Sequence, residues 1–455
     1  MTFQSINPAT NEVIATYQVH SEEEIKASID KAHAAFKDWR LTTMEHRAAC
    51  LKRAAEILRD NKQGYALLIT REMGKPINQA LMEIEKCASA CDHYANHSAE
   101  YLAKENVETN AAESFICYEP MGLILAIMPW NFPFWQVFRF AAPALMAGNG
   151  CLLKHAPNVI GCALAVEELF RQAGLPSGLF TTLIAETESV EAMIANPYVS
   201  AVTLTGSCAA GSAVASLAGK YLKKSVLELG GSDPYVVLAD ADIELAAKVC
   251  TASRMNNNGQ VCIAAKRLIV EEPVVAEFEK RLLEEMTTYT PGNPELETTT
   301  QGPMARQDLL DNIQRQVNAS IEQGARCILG GTALDGQGFY YPATVLTDVT
   351  QSMTAFREEL FGPVACIITA KDEDHAIELA NDSEFGLGGA VFSRDIDKAK
   401  EIASHRIDTG TCVVNNLVLS DPRLPFGGIK QSGYGRELSH FGIREFVNIK
   451  TVYTS

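Results

Sequence analysis

The stretch that decides the fold is "AVTLTGSCAAGSAV", residues 201–214. Its first residues are small, apolar or β-branched and read as a strand. Gly206 and Ser207 interrupt that run, and the small-residue segment around Gly211 reads as a helix. A strand, a tight turn and a helix N-terminus together outline a cradle for a phosphate, because the first N–H groups of a helix have no intrahelical partner and point at an anion. The spacing is not G-x-G-x-x-G, so on its own the segment is a weak dinucleotide signal.

The same alternation extends on both sides. Short apolar runs, "GLILAIM", "GCLLK", "FTTLIA", "SVLEL" and "PYVVLA", alternate with helical segments from about residue 121 onward. Strands alternating with helices predict βαβ units and a parallel sheet buried on both faces. A second series follows Cys262: "KRLIVEE", "RCILGG", "ACIITA", "AVFSRD" and "TCVVNN". Two α/β units are therefore predicted, with a boundary near "ELGGSDP", 228–234. Residues 21–103 read as long amphipathic helices, the first opened by a capping box of Ser21 and Glu24. Residues 102–120 and the tail "FVNIKTVYTS" fit neither series and read as exposed strands in need of a partner edge.

Bulk properties exclude several classes. A chain of 455 residues has room for two or three domains. Its formal charge of −17, from 56 acidic and 39 basic residues, argues against a nucleic-acid partner. Net charge says little about a small anionic substrate, which meets a local field. The N-terminal stretch has no basic segment followed by an apolar one, and no apolar run approaches membrane-spanning length. The expectation is a cytoplasmic protein with no membrane partner. Twelve cysteines without a C-x-x-C pair then read mostly as small buried hydrophobes.

One cysteine differs. Cys262 follows "NNNGQV", a polar turn, whereas Cys366 lies inside the apolar run "VACIITA". Backbone N–H groups at a turn lower a thiol pKa and also form a donor site for an oxyanion, so Cys262 is a candidate nucleophile. Glu228 ends a β-run directly before two glycines, where it is either a solvated strand-end residue or a base aimed into a cleft. Asn131, in "MPWNFPFW", is an amide in a rigid apolar setting; it caps the following helix or donates to a developing negative oxygen. His93 and His97 are four apart, but "HYANH" lacks the glutamate of a zinc motif and no third ligand is near, so no metal is expected.

In this order and spacing, PWNFP, KHAP, TGS, ELGG, GQVC and EELFGP resemble the aldehyde dehydrogenase superfamily, from "INPATNEVI" to "GRELSHFG". The variants "KHAPN", "ELGGSDP" and "GQVCIAAKR" are most similar to bacterial NAD(P)-dependent succinate-semialdehyde dehydrogenases. The resemblance implies an α/β fold: a Rossmann-like cofactor domain (1–101 and 121–230), an α/β catalytic domain (231–430), and a small β oligomerisation arm with bridging segments (102–120 and 431–455). It implies a homodimer or homotetramer acting on a small aldehyde with NAD or NADP.

Residue by residue, it makes Cys262 the nucleophile, Glu228 the general base, and Asn131 with the Cys262 N–H the oxyanion hole. Lys154 and Glu359 match contacts to the cofactor ribose. Gly206 and Ser207 match the pyrophosphate turn, and Phe361 and Trp130 match groups near the cofactor. Glu437 matches a carboxylate behind the base. Arg139, eight residues after Asn131, matches the arginine that binds the substrate's distal carboxylate, with a structural ion pair as the alternative.

Three positions depart from the pattern. An acidic residue common three after the ribose lysine is Pro157, so NADP is expected to be tolerated. A second cysteine two after the nucleophile is Ala264, so no redox-switch disulfide is expected there. A second substrate arginine, six before the nucleophile, is Asn256; Ser420 and Arg423 are candidates to complete that site. A broad-range aliphatic aldehyde dehydrogenase is the alternative.

Overall fold

The computed structural model describes residues 1–455. Two sheets dominate it. The first has six strands in the order Gly433–Tyr434, Lys224–Glu228, Val199–Thr205, Leu123–Met128, Gly150–His155 and Phe180–Thr182. All neighbours are parallel except Gly433–Tyr434, which runs antiparallel to Lys224–Glu228. The segment 431–455, expected to lie outside both domains, thus donates a strand to this sheet. Gly150–His155 is buried at every position, the pattern of a strand covered on both faces.

The second sheet has seven strands: Arg326–Leu329, Thr344–Thr347, Val364–Ala370, Ala265–Glu271, Asp233–Val237, Gly388–Phe392 and Thr411–Val414. Alternate residues of its strands enter two different cores. Val236, Ile269, Ile368 and Val391 pack on one face, and Tyr235, Val237, Leu268, Val270 and Ile367 on the other. "PYVVLA", which reads like the first series, belongs to this second sheet. Thr344–Thr347 has no counterpart among the predicted strands.

Four helices precede the first sheet: Glu22–Trp39, Met44–Asp60, Lys62–Met73 and Ile77–Tyr101. The first carries the expected capping box, with the Glu24 N–H donating to Ser21 Oγ and the Ser21 N–H to the Glu24 carboxylate. The two segments that fitted neither series find each other. Glu113–Pro120 pairs antiparallel with Val447–Thr454 over eight residues, and Glu105–Asn106 adds a third strand. No helix is long and apolar enough to cross a membrane.

Candidate active site

The loop before Cys262 is built by its asparagines. Asn257, Asn258 and Gly259 all have left-handed backbone, with φ of 50°, 56° and 76°. Asparagine tolerates that region better than other side chains, and glycine freely. Glycine is also required for space, since a Cβ at Gly259 would sit 2.1 Å from the Gly362 carbonyl oxygen. The asparagine side chains tie the loop to its surroundings. Asn257 Nδ2 donates to the Asn131 carbonyl (2.8 Å), and Asn258 accepts from the Gly302 N–H (2.7 Å) while donating to the Pro303 carbonyl (3.0 Å).

This loop leaves the Cys262 N–H without a hydrogen-bond partner in the chain. Beside it, Asn131 Nδ2 donates to the Gln260 carbonyl at 3.0 Å, and its second N–H is free. Asn131 is not a helix cap. That role falls to Glu83, whose carboxylate accepts from the N–H groups of Phe134 and Trp135, both at 2.9 Å, and is ion-paired with buried Lys75.

Cys262 is partly open to a cleft, yet its surroundings push the thiol up to about 12. Burial is the main cause; the charges of Lys266 and Arg139 oppose it. Lys266 is itself buried and donates to the carbonyls of Cys262 (2.5 Å) and Val261 (3.0 Å). Its ammonium also lies 3.4 Å from Glu359.

Glu228 is 2% exposed and neither carboxylate oxygen has a partner. Burial raises its pKa well above the carboxylate range, the Glu437 charge raises it further, and Arg139 and Arg436 oppose this. Glu437 is likewise raised by burial and opposed by Arg139. Two buried carboxyls thus lie near one guanidinium that pairs with Glu437 alone, and burial pushes both toward their protonated forms.

That arrangement bears on Arg139. It is buried, ion-paired with Glu437, hydrogen-bonded to Thr205 Oγ1 (3.3 Å) and stacked over Phe426 at 4.9 Å. The structural ion pair is therefore present, although Arg139 also lines the cleft in front of Cys262. Ser420 lines the same cleft; Arg423 does not. The expectation for Arg423 is corrected: its side chain is 76% exposed and paired with Asp421 two residues away, which holds it outside. The cleft is narrow, about 60 Å³, and has an apolar wall that includes Phe132, Trp135, Val261 and Phe426.

On the first sheet, the strand–turn–helix is as expected. Ser207 caps the helix Cys208–Lys220, accepting from the Ala210 N–H at 3.2 Å, and the Gly206 N–H donates to the Glu228 carbonyl. Gly211 permits close helix–strand packing, since a Cβ there would meet Leu229 at 2.5 Å. Lys154, next to the end of its strand, is 8% exposed and has no hydrogen bond or ion pair in the chain. A buried ammonium lacking a partner fits a hydroxyl-bearing ligand at the carboxyl ends of the strands. Glu359 accepts from the Gly231 N–H at 3.1 Å, and the Trp130 and Phe361 rings meet edge-on at 5.8 Å. The sequence reading missed Lys266, Glu83 and the tethers of Asn257 and Asn258. Lysines beside apolar runs read as surface charge, and asparagine runs as plain turns.

A Rossmann-like sheet facing a second α/β sheet, with a cysteine beside free N–H donors between them, defines a class of thiol-dependent dehydrogenases. The aldehyde dehydrogenase family model matches residues 1–452, and the chain belongs to that family. It is 50% identical over 449 residues to the succinate semialdehyde dehydrogenase (NAD(P)+) Sad of Escherichia coli, covering 99% of this chain and 97% of that one. It is 49% identical over 453 residues to a probable succinate-semialdehyde dehydrogenase (NADP(+)) of Synechocystis sp., covering 100% of both. Among solved structures, succinic semialdehyde dehydrogenase from Streptococcus pyogenes in complex with NADP+ superimposes with a TM-score of 0.97 at 38% identity, over 99% of each chain.

Proposed function

We propose that this chain oxidises succinate semialdehyde to succinate with NAD or NADP, using Cys262 as nucleophile and Glu228 as base. The observation that carries the chemistry is Cys262 beside two uncommitted donors, its own N–H and the second N–H of Asn131. Full-length relatives named for succinate semialdehyde support the substrate.

Lys154, Gly206, Ser207 and Glu359 would hold the dinucleotide, with Trp130 and Phe361 beside its nicotinamide end. Bound there, the nicotinamide supplies a hydride acceptor. The chain's own residues do the rest. A thiol held near 12 is protonated at rest, so attack on the aldehyde needs a proton acceptor. The oxyanion that forms is held by the Cys262 and Asn131 N–H groups. Glu228, whose pKa burial raises above the usual carboxylate range, takes a proton from the water that cleaves the thioester on Cys262. Burial is the main cause of that shift, and the charges of Glu437 and Arg139 adjust it in opposite directions.

The proposed domains are those the resemblance implies, with Cys262 in 231–430; the pairing of Gly433–Tyr434 with Lys224–Glu228 supports adding that strand to the cofactor domain. Twelve free cysteines support a reducing, cytoplasmic setting. The arm supports a homodimer or homotetramer, because Val447–Thr454 is an edge strand with Ile449 and Tyr453 exposed. Sedimentation of wild type and Ile449→Asp tests this.

For the activity, wild-type kcat/KM is measured with succinate semialdehyde and with butyraldehyde, following the absorbance of the reduced cofactor. A clear preference for the carboxylated aldehyde is expected. Equal efficiency refutes the substrate and leaves a broad-range aliphatic aldehyde dehydrogenase, which the apolar cleft wall would favour.

A further inference from the structure

Two cations line the cleft in front of Cys262, and they differ in what they already hold. Arg139 is committed to Glu437. Lys86, on the helix Ile77–Tyr101, makes no ion pair; its ammonium donates to Ser420 Oγ at 2.7 Å and sits 4.2 Å from the centroid of the Trp135 ring. A hydroxyl and an aromatic face are weak compensation for a desolvated ammonium, and neither neutralises its charge. The Ser420 hydroxyl, accepting from Lys86, keeps its own proton free to donate.

We propose that Lys86 and Ser420 together bind the carboxylate of the substrate, making Lys86 the residue that selects succinate semialdehyde over uncharged aldehydes. The inference rests on the proposed activity and adds to it a residue outside every motif that identifies the family. The ammonium and hydroxyl supply one donor to each carboxylate oxygen, and the carboxylate supplies the missing counter-charge. The Trp135 face beside them packs on the substrate's methylene chain. This position also answers the loss of an arginine at Asn256, which lines the same cleft and carries no charge.

The electrostatics gives the site a pH signature. Burial, with a smaller contribution from the neighbouring Arg139 charge, pulls the Lys86 pKa down to about 8. Glu83 and Cys87 on its own helix and Asp421 on the facing loop oppose this. Lys86 is therefore charged below pH 8 and loses its proton as pH rises through that value, while the substrate carboxylate stays ionised throughout.

The test reads the ratio of kcat/KM for succinate semialdehyde to that for butyraldehyde, in which effects of Cys262 and Glu228 on the common chemistry cancel. In wild type the ratio falls as pH rises through 8. In Lys86→Met it is reduced at neutral pH by roughly 10- to 150-fold, the worth of a charge-assisted hydrogen bond, and no longer varies with pH. A wild type without preference for succinate semialdehyde sinks both the proposed substrate and this inference. A wild-type preference that stays flat through pH 8, or that survives in Lys86→Met, overturns the role of Lys86 alone.

Discussion

Replacing Asn131 with alanine separates the oxyanion role from a structural one. One N–H of its amide donates to the Gln260 carbonyl at 3.0 Å. That carbonyl keeps a second donor, Asn257 Nδ2 at 3.3 Å, and Asn257 also holds the Asn131 backbone carbonyl at 2.8 Å. Asn131 Oδ1 has no partner to lose. The fold therefore forfeits one shared neutral hydrogen bond, about 1 kcal/mol. If the other N–H holds the oxyanion, kcat falls by roughly 10²–10³-fold, equivalent to roughly 2.7–4 kcal/mol. Steady-state kcat from reduced-cofactor absorbance gives the kinetic loss, and urea unfolding gives the stability loss. The two must differ in this direction. Turnover close to wild type in the folded variant, or a stability loss as large as the kinetic one, would refute the assignment. Asn131→Asp adds a negative charge where the oxyanion forms and should be slower still than Asn131→Ala.

Cys262→Ala should abolish oxidation while dinucleotide binding, followed by fluorescence quenching, persists, because the Lys154 and Ser207 positions lie on the other sheet; reduced cofactor formed at wild-type rate would refute the nucleophile. Glu228→Gln should slow turnover by roughly 10²–10⁴-fold. The same change should stabilise the fold by a margin that grows with pH. A carboxyl raised in the folded state binds its proton more tightly there than in the unfolded chain, so the wild type loses stability as pH rises above the unfolded value near ~4.3. Melting curves that coincide at acid and neutral pH would contradict this. Glu437→Gln removes a charge that raises the Glu228 pKa and frees Arg139 for Glu228, so the acid limb of the kcat profile should move to lower pH; an unmoved limb would separate Glu437 from the base. Pro157 is exposed at the start of a 3₁₀ turn shortly after Lys154, and wild type should use both NAD and NADP. Pro157→Glu should then shift preference toward NAD, since a carboxylate repels the 2′-phosphate.

What the sequence made legible follows from how each signal arises. Strands such as Gly150–His155 were visible because burial on both faces demands a continuous apolar run. The same cause hid which sheet a strand joins, since "PYVVLA" is as apolar as its upstream neighbours yet pairs with Ala265–Glu271 and Gly388–Phe392. Thr344–Thr347 escaped because threonines at both ends leave only Val345 and Leu346 as an apolar run, whereas the equally short Arg326–Leu329 and Thr411–Val414 each carry three apolar residues in a row. Cys262 and Glu228 stood out for a chemical reason: a thiol beside a polar turn and a carboxylate before two glycines are costly places for residues without a task.

Lys86 and Lys266 had no such contrast, because a lysine in a charged helix or next to an arginine reads as a solvated face. Their environment is written elsewhere, in Ser420 and Trp135 for one and in Glu359 and the Cys262 carbonyl for the other. A nucleophile betrays itself through its immediate neighbours in sequence, which set its backbone. The charge that recognises a substrate depends on partners hundreds of residues away, as Lys86 and Ser420 are, and it appears only once the sheets and helices bring them together.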